Sequence, residues 1–172
     1  RIYTFGYAAM ATEFEVVIAQ AGITAEAARS AADAIFAEIT RLEEELSRFR
    51  PMSEIWRISS LRSGQSAVID MATWDCLALA KAVFNETAGA FDITVGPLMQ
   101  LWKNPDSSPR TPSEEELAGA RQRIGSHLYE LNEQAMSVTV HADKLVFDLG
   151  GIGRRAAAGR SGGPRGPGRD GC

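Results

Sequence analysis

Two short stretches hold the residue types that can do chemistry. The first is Gly89-Ala90-Phe91-Asp92-Ile93-Thr94-Val95-Gly96-Pro97. Phe91, Ile93 and Val95 alternate with Asp92 and Thr94, which is strand periodicity. It predicts that the carboxylate and the hydroxyl project from the face opposite the apolar trio. Gly96-Pro97 breaks that strand, and Pro97 suits the first turn of a following helix, where no backbone N–H is needed. A carboxylate and a hydroxyl beside a glycine turn and a helix N-terminus form a candidate anion site. Free N–H groups and the positive end of the helix dipole suit a phosphate there. A strand with a polar outer face accounts for the same residues without any ligand.

The second stretch is Leu145-Val146-Phe147-Asp148-Leu149-Gly150-Gly151-Ile152-Gly153. It reads as a buried strand running into an aspartate and a glycine-rich turn. Glycines let the backbone approach a ligand closely, and consecutive amides can cradle an anion. Asp148 can accept a hydrogen bond from a base or a sugar; a plain strand-to-turn reading stays open beside this. Phe49, at the junction of a long helix and the Pro51 turn, either stacks on a planar ligand or anchors the core. Other reactive residue types carry less. His127 and His141 have no carboxylate or cysteine at ligand spacing and read as non-catalytic. Glu43-Glu44-Glu45 point to different helix faces, so they read as a solvated face rather than a metal site. Cys76 and Cys172 make neither a disulfide framework nor a zinc spacing, and Cys76 sits in an apolar helical pattern as a small buried residue.

These residues must be held by regular elements. Ile2–Tyr7 and Glu13–Ile18 read as strands, joined by the small-residue segment Ala8–Thr12 with Met10 in its middle. Apolar residues recur at helical spacing from about Thr24 to Phe49, with Thr24 as cap and Pro51 forbidding continuation. Ser53 caps a short helix holding Ile55, Trp56 and Ile58. A turn and short strand over Gly64–Asp70 lead to a helix over Thr73–Thr87, which ends at Gly89. Leu98–Trp102 form a short helix. Lys103–Pro112, with three prolines, is a surface loop. Ser113-Glu114-Glu115-Glu116 is a capping box opening a helix to about Ile124, stopped by Gly125. His127–Leu131 and Met136–His141 read as a hairpin. The fold class is α+β, a mostly antiparallel sheet with packed helices.

The totals set outer bounds. The 172 residues allow one domain, or one and a part, with a net charge of −4. Residues 154–172 hold five Arg and one Asp, or +4, which leaves −8 on the rest and argues against nucleic acid as a partner. No run of about 18 apolar residues is present for a membrane-spanning helix. The chain starts with Arg1 and enters strand-like sequence at once, so a preceding segment is expected, and the lack of a signal peptide is no argument for the cytoplasm. Residues 1–153 read as the folded portion. Sixteen of the nineteen residues in 154–172 are Arg, Gly, Ala or Pro, too few apolar side chains to offset ordering entropy. That tail reads as disordered, and as a GC-rich frame translated out of phase.

Four segments, in order, resemble the FAD:protein FMN transferases of the ApbE family, also called thiamine biosynthesis lipoproteins. They are Met10-Ala11-Thr12-Glu13-Phe14, Leu46–Ile55, Gly89–Leu98 and Asp148–Gly153. The resemblance covers about residues 3–153, the N-terminal half of such an enzyme, and implies an ApbE-like, T-fold-like architecture in truncated form. It implies transfer of FMN from FAD, with Mg²⁺, to a Ser or Thr hydroxyl of an acceptor protein. By the same resemblance Met10, Phe49, Ala90, Phe91, Asp92 and Asp148 contact FAD, and the Gly151 carbonyl binds the metal; Phe49 stands where the family usually has Tyr. Family members are commonly exported and membrane-anchored as periplasmic or extracellular lipoproteins. The chain departs from the pattern after Gly153, where the family continues Lys-Gly-Tyr-Ala. Catalytic residues and the remaining metal ligands are therefore expected in a C-terminal half, and transfer by this chain alone is expected to be absent or very poor. The alternatives are a non-catalytic FAD-binding module and an interaction domain with no ligand; oligomeric state is not legible.

Overall fold

The computed structural model describes residues 1–153; the 154–172 tail lies outside the described residues. These fall into two compact units, Arg1–Glu44 and Glu45–Gly153. Their strands pair antiparallel in two sheets and alternate with helices, as the α+β expectation requires. Among the described residues no helix is long and apolar enough to cross a membrane.

The first unit is a hairpin packed on a helix. Strands β1 (Ile2–Ala9) and β2 (Thr12–Ala19) pair from Ile2↔Ala19 to Ala9↔Thr12, leaving Met10-Ala11 as a two-residue turn. Both turn residues are left-handed, with φ of 50° and 55°, the conformation a hairpin of this length favours and usually fills with Asn-Gly. Helix α1 (Ala25–Leu46) begins where Thr24 Oγ1 accepts from Ala27 N at 3.2 Å. Its buried stripe of Ala32, Phe36 and Ile39 meets Ala9 and the inward side chains Phe5, Tyr7, Phe14, Val16 and Ile18. Tyr7 stacks on Phe36 at 4.7 Å and bonds Thr40 Oγ1 through its hydroxyl at 2.5 Å. Glu43 Oε1 accepts from Met10 N at 2.7 Å, so one of the three consecutive glutamates ties down the hairpin turn.

The second unit holds the remaining elements: α2 (Glu54–Ser59), β3 (Ser66–Val68), α3 (Met71–Glu86), α4 (Gly96–Leu101), α5 (Glu114–Arg121), a 3-10 turn at Ser126–Leu128, β4 (Tyr129–Asn132) and β5 (Ser137–Val140). Three helix starts follow their caps. Ser53 Oγ accepts from Trp56 N at 3.0 Å, Asp70 Oδ1 from Ala72 N at 2.6 Å, and Ser113 with Glu116 forms the expected capping box. The three-stranded sheet has order β3-β5-β4, all antiparallel. Its core includes Ile55, Ile58, Cys76, Leu77, Val138, Val140, Tyr129 and Phe147; the last two rings meet edge-on at 5.2 Å.

Several expectations need correction. Phe91–Val95 is a turn and not a strand, and Leu145–Leu149 forms no strand and belongs to no sheet. Helix α1 stops at Leu46 rather than Phe49, because Ser47 redirects the chain: its Oγ accepts from Phe49 N at 3.2 Å and its carbonyl accepts from Ser53 Oγ at 2.5 Å. Helix α3 starts at Met71, earlier than Thr73, since Asp70 caps it, and α5 ends at Arg121, short of Ile124. Phe49 is 78 % exposed, which removes the core-anchor alternative.

Gly96 shows why a glycine precedes Pro97. A Cβ there would run into Val146 Cγ1 and lie 2.6 Å from Val146 Cβ and 2.7 Å from the Val146 carbonyl oxygen, so only glycine lets α4 rest on the 145–149 segment. Gly96→Ala is expected to cost about 1–3 kcal/mol in urea unfolding, the usual range for overpacking, with part of the loss recovered by adding Val146→Ala. Burial, reinforced by the charge of Asp75, pushes the Cys76 thiol up to about 12 from 9.0. The native state holds this proton where the unfolded chain releases it. Stability is therefore full below about pH 9 and falls as pH rises toward about 12, and urea midpoints of Cys76→Ala should fall less steeply over that window.

Candidate functional site

The site is assembled in the second unit from three chain segments. The first leaves α3 through Ala88 and Gly89, both left-handed at φ 51° and 84°, with Gly89 N donating to Phe84 O at 2.8 Å. This is a C-terminal stop of the kind glycine permits. Thr87 Oγ1 donates to Val83 O at 2.7 Å and accepts from Phe91 N at 3.1 Å, which fixes the exposed Ala90 and the half-buried Phe91.

Asp92 then turns the chain. Its Oδ1 accepts from both Thr94 N and Thr94 Oγ1, each at 2.7 Å. Thr94 is fully buried, and its hydroxyl oxygen in turn accepts from Gly125 N at 2.7 Å. The expectation that Asp92 and Thr94 stand side by side on a strand face fails for this reason: an aspartate two residues before a hydroxyl closes an Asx turn instead. Ile93 and Thr94, on opposite faces in a strand, are both buried. The helix N-terminus is not open to an anion either. Gly96 and Pro97 are buried, with Gly96 against Val146.

The second segment is Asp148–Gly151. Asp148 N donates to Ile93 O at 2.6 Å, docking this segment on the Asp92 turn. Asp148 Oδ1 accepts from Gly150 N at 2.9 Å, and a Cβ on Gly151 would lie 3.1 Å from the Phe91 ring, so the two predicted contacts Phe91 and Gly151 are neighbours. The third segment supplies Arg48 and Phe49. The Arg48 guanidinium lies 3.5 Å from Asp148 Oδ2 and 4.4 Å over the Phe49 ring. A row of ring, cation and carboxylate results. Beside it opens a cleft of about 300 Å³ whose lining includes Arg48, Phe49, Trp56, Ser59, Gln100 and Val146.

Gly151 thus neighbours Phe91, Asp148 docks on Ile93, and Arg48 connects Asp148 to Phe49, with Ala90 and Asp92 adjoining Phe91 in the chain. Met10 belongs to the first unit, at its hairpin turn. Two residues to which the sequence reading gives no separate role stand here: Arg48, and Trp56 on the short helix with Ile55 and Ile58. The adjacency of Arg48 to Phe49 was the available signal for the first. Lys81 was also passed over. Its Nζ donates to Ser126 O at 2.9 Å and lies 4.3 Å over the Tyr129 ring. Burial lowers its pKa, opposed by the charges of Glu130 and Asp92, while burial raises that of Tyr129.

The implied metal fits poorly. Among the described residues no group of three or more His, Cys, Asp or Glu side chains is arranged to hold an ion. The Gly151 carbonyl alone falls short of the near-octahedral oxygen shell Mg²⁺ requires, and the nearby Asp148 is engaged by Arg48 and Gly150 N. An uncharged ring system bearing an anionic group suits the exposed Phe49 ring and the Arg48 cation better.

Comparison with known proteins gives one consistent answer. Residues 10–161 match the model of the ApbE family. The chain is 32 % identical over 117 residues to an FAD:protein FMN transferase of Klebsiella pneumoniae (strain 342), covering 66 % of this chain and 33 % of that protein. It is 27 % identical over 141 residues to the FAD:protein FMN transferase of Escherichia coli (strain K12), covering 80 % and 40 %. Among solved structures it is similar to the ApbE protein of Thermotoga maritima, with a TM-score of 0.81 and 28 % identity over 94 % of this chain and 51 % of that one. The flavin transferase ApbE of Vibrio cholerae, also at 0.81 but 23 % identical over 94 % and 52 %, shares the fold. The chain therefore spans 33–40 % of the length of these curated relatives and about half of the solved ones.

The Thr94 hydroxyl gives a direct test of how the site is held. Thr94→Val leaves Gly125 N without its acceptor in a buried place and should cost about 1–3 kcal/mol in urea unfolding. Thr94→Ser keeps the hydroxyl, loses only a methyl, and should cost about 1 kcal/mol or less.

Proposed function

Because this chain belongs to the ApbE family, we propose that the whole protein is an FAD:protein FMN transferase and that residues 45–153 form part of its FAD site. The observation that carries this reading is the junction of Arg48-Phe49, Ala90–Asp92 and Asp148–Gly151 through the Arg48–Asp148 pair, the Asp148 N–H to Ile93 carbonyl bond and the Phe91–Gly151 contact. In this proposal Phe49 offers a face for stacking, and Arg48 balances anionic charge on the dinucleotide. Asp148 orients Arg48, and its carboxylate can accept from a ribose hydroxyl or a base amine.

The reaction proposed for the whole protein moves FMN from FAD to a Ser or Thr hydroxyl of an acceptor protein, releasing AMP. The pyrophosphate bond to the adenylate breaks and a phosphoester to the acceptor oxygen forms. Mg²⁺ would supply charge neutralisation on the phosphates. The described residues give no clamp for it, so the proposal assigns binding and orientation to this chain and little or no transfer on its own. An exported, membrane-anchored location is the family-based proposal for the whole protein.

Fluorescence titration with FAD and in-gel flavin fluorescence on an acceptor bearing a flavinylation motif test both halves of the proposal. FAD should bind, and Asp148→Ala should weaken it about tenfold or more, the scale of one charged hydrogen-bonding partner. The acceptor should stay unlabelled with Mg²⁺ and FAD present. No FAD binding would overturn the site, and a fluorescent acceptor would overturn the assignment of binding without transfer.

A further inference from the structure

Trp56 has no role in the site as built so far, yet its placement is tightly determined. It lies in α2, a helix whose start is fixed by the Ser53 cap and whose Ile55 and Ile58 are fully buried. With those two side chains locked in the core, the helix cannot rotate, and the indole is left 42 % exposed on the opposite side. There it lines the same cleft as the exposed Phe49 ring. Large aromatic surface held toward water by a rigid element is available for stacking.

The rest of the cleft fits a flat heteroaromatic ring. Val146 contributes an apolar surface, Arg48 a cation, and no carboxylate side chain lines it. Ser59 and Gln100 also line it, and neither side chain makes a hydrogen bond among the described residues, which leaves a hydroxyl and an amide free to read a ring edge. About 300 Å³ sits at the lower end of small-molecule sites, enough for one ring system and too small to enclose a whole dinucleotide.

We propose that Trp56 is the second aromatic wall of a ring-binding subsite, which takes one of the two heteroaromatic ring systems of FAD while Ser59 and Gln100 read its edge. This rests on the FAD reading above. Adenine and isoalloxazine share the required chemistry, so the test separates them.

Calorimetry of the chain with FAD, FMN and AMP, for wild type, Trp56→Ala, Trp56→Phe and Gln100→Glu, decides the matter. Trp56→Ala should weaken FAD about tenfold, the size of one base–aromatic stack, and weaken one of FMN or AMP by the same factor while sparing the other. Trp56→Phe should stay within about threefold of wild type, since a ring remains. Gln100→Glu, an exposed position whose change leaves the core intact, should weaken the same partial ligand by placing a carboxylate beside it. If Trp56→Ala and Gln100→Glu bind FAD like wild type while Asp148→Ala does not, the Trp56 subsite is wrong and the FAD site stands. If Trp56→Ala weakens FAD but neither FMN nor AMP, the ring subsite is equally wrong. If wild type binds none of the three, both proposals fall together.

Discussion

One buried hydroxyl holds the candidate site together. Thr94 Oγ1 donates to Asp92 and accepts from Gly125 N, both at 2.7 Å, and it is sealed from water. Asp92 is half-buried, but Gly125 is buried and its N–H cannot fall back on solvent, so losing the hydroxyl would strand a buried donor rather than exchange one bond for another. The consequences spread outward along the backbone. Closing the Asp92 turn sets the Ile93 carbonyl that receives Asp148 N. It also leads directly to Gly96, whose missing Cβ admits Val146. Asp148, so docked, faces Arg48, and Arg48 lies over Phe49. A polar contact inside the core thus determines what stands at the surface.

The same device recurs. Asp106 Oδ1 accepts from Ser108 N and Oγ, and Asp148 Oδ1 accepts from Gly150 N. With Asp70, which accepts from Ala72 N at the start of α3, four aspartates bond the residue two positions on, and at Asp92, Asp106 and Asp148 the bond closes a turn. The carboxylates in the 91–95 and 148–151 segments therefore have a structural task first. At Asp148 the second oxygen is left toward Arg48, so a single side chain both shapes a turn and reaches into the site.

Much of the framework was legible in the sequence because it rests on local signals. Ser53, Thr24 and Ser113 announce helix starts, Pro97 opens α4, and the long stripe from Ala28 to Leu46 has only one helical reading. The two stretches richest in chemistry were misread in secondary structure, and for one reason. Apolar-polar alternation over five residues is the pattern of a strand, but Asp-Ile-Thr also satisfies an Asx turn, and the period alone does not choose between them. Aspartate followed two positions later by threonine, close to a Gly-Pro pair, was the signal that favours the turn. The candidate contacts in the second unit came together even so, since their placement depends on where the segments dock. Arg48 and Trp56 escaped notice because their roles arise from tertiary neighbours: an aspartate 100 positions away for one, and two locked isoleucines on the same helix for the other.

The central claim is that Phe49, the Ala90–Asp92 turn and the Asp148–Gly151 turn form one FAD-contacting surface. Amide chemical-shift mapping by NMR during an FAD titration tests it most directly. The largest shifts should fall at Arg48-Phe49, Phe91-Asp92 and Asp148–Gly151 and saturate with a common affinity. Shifts confined to other residues, or separate affinities for these three segments, would contradict a single shared site.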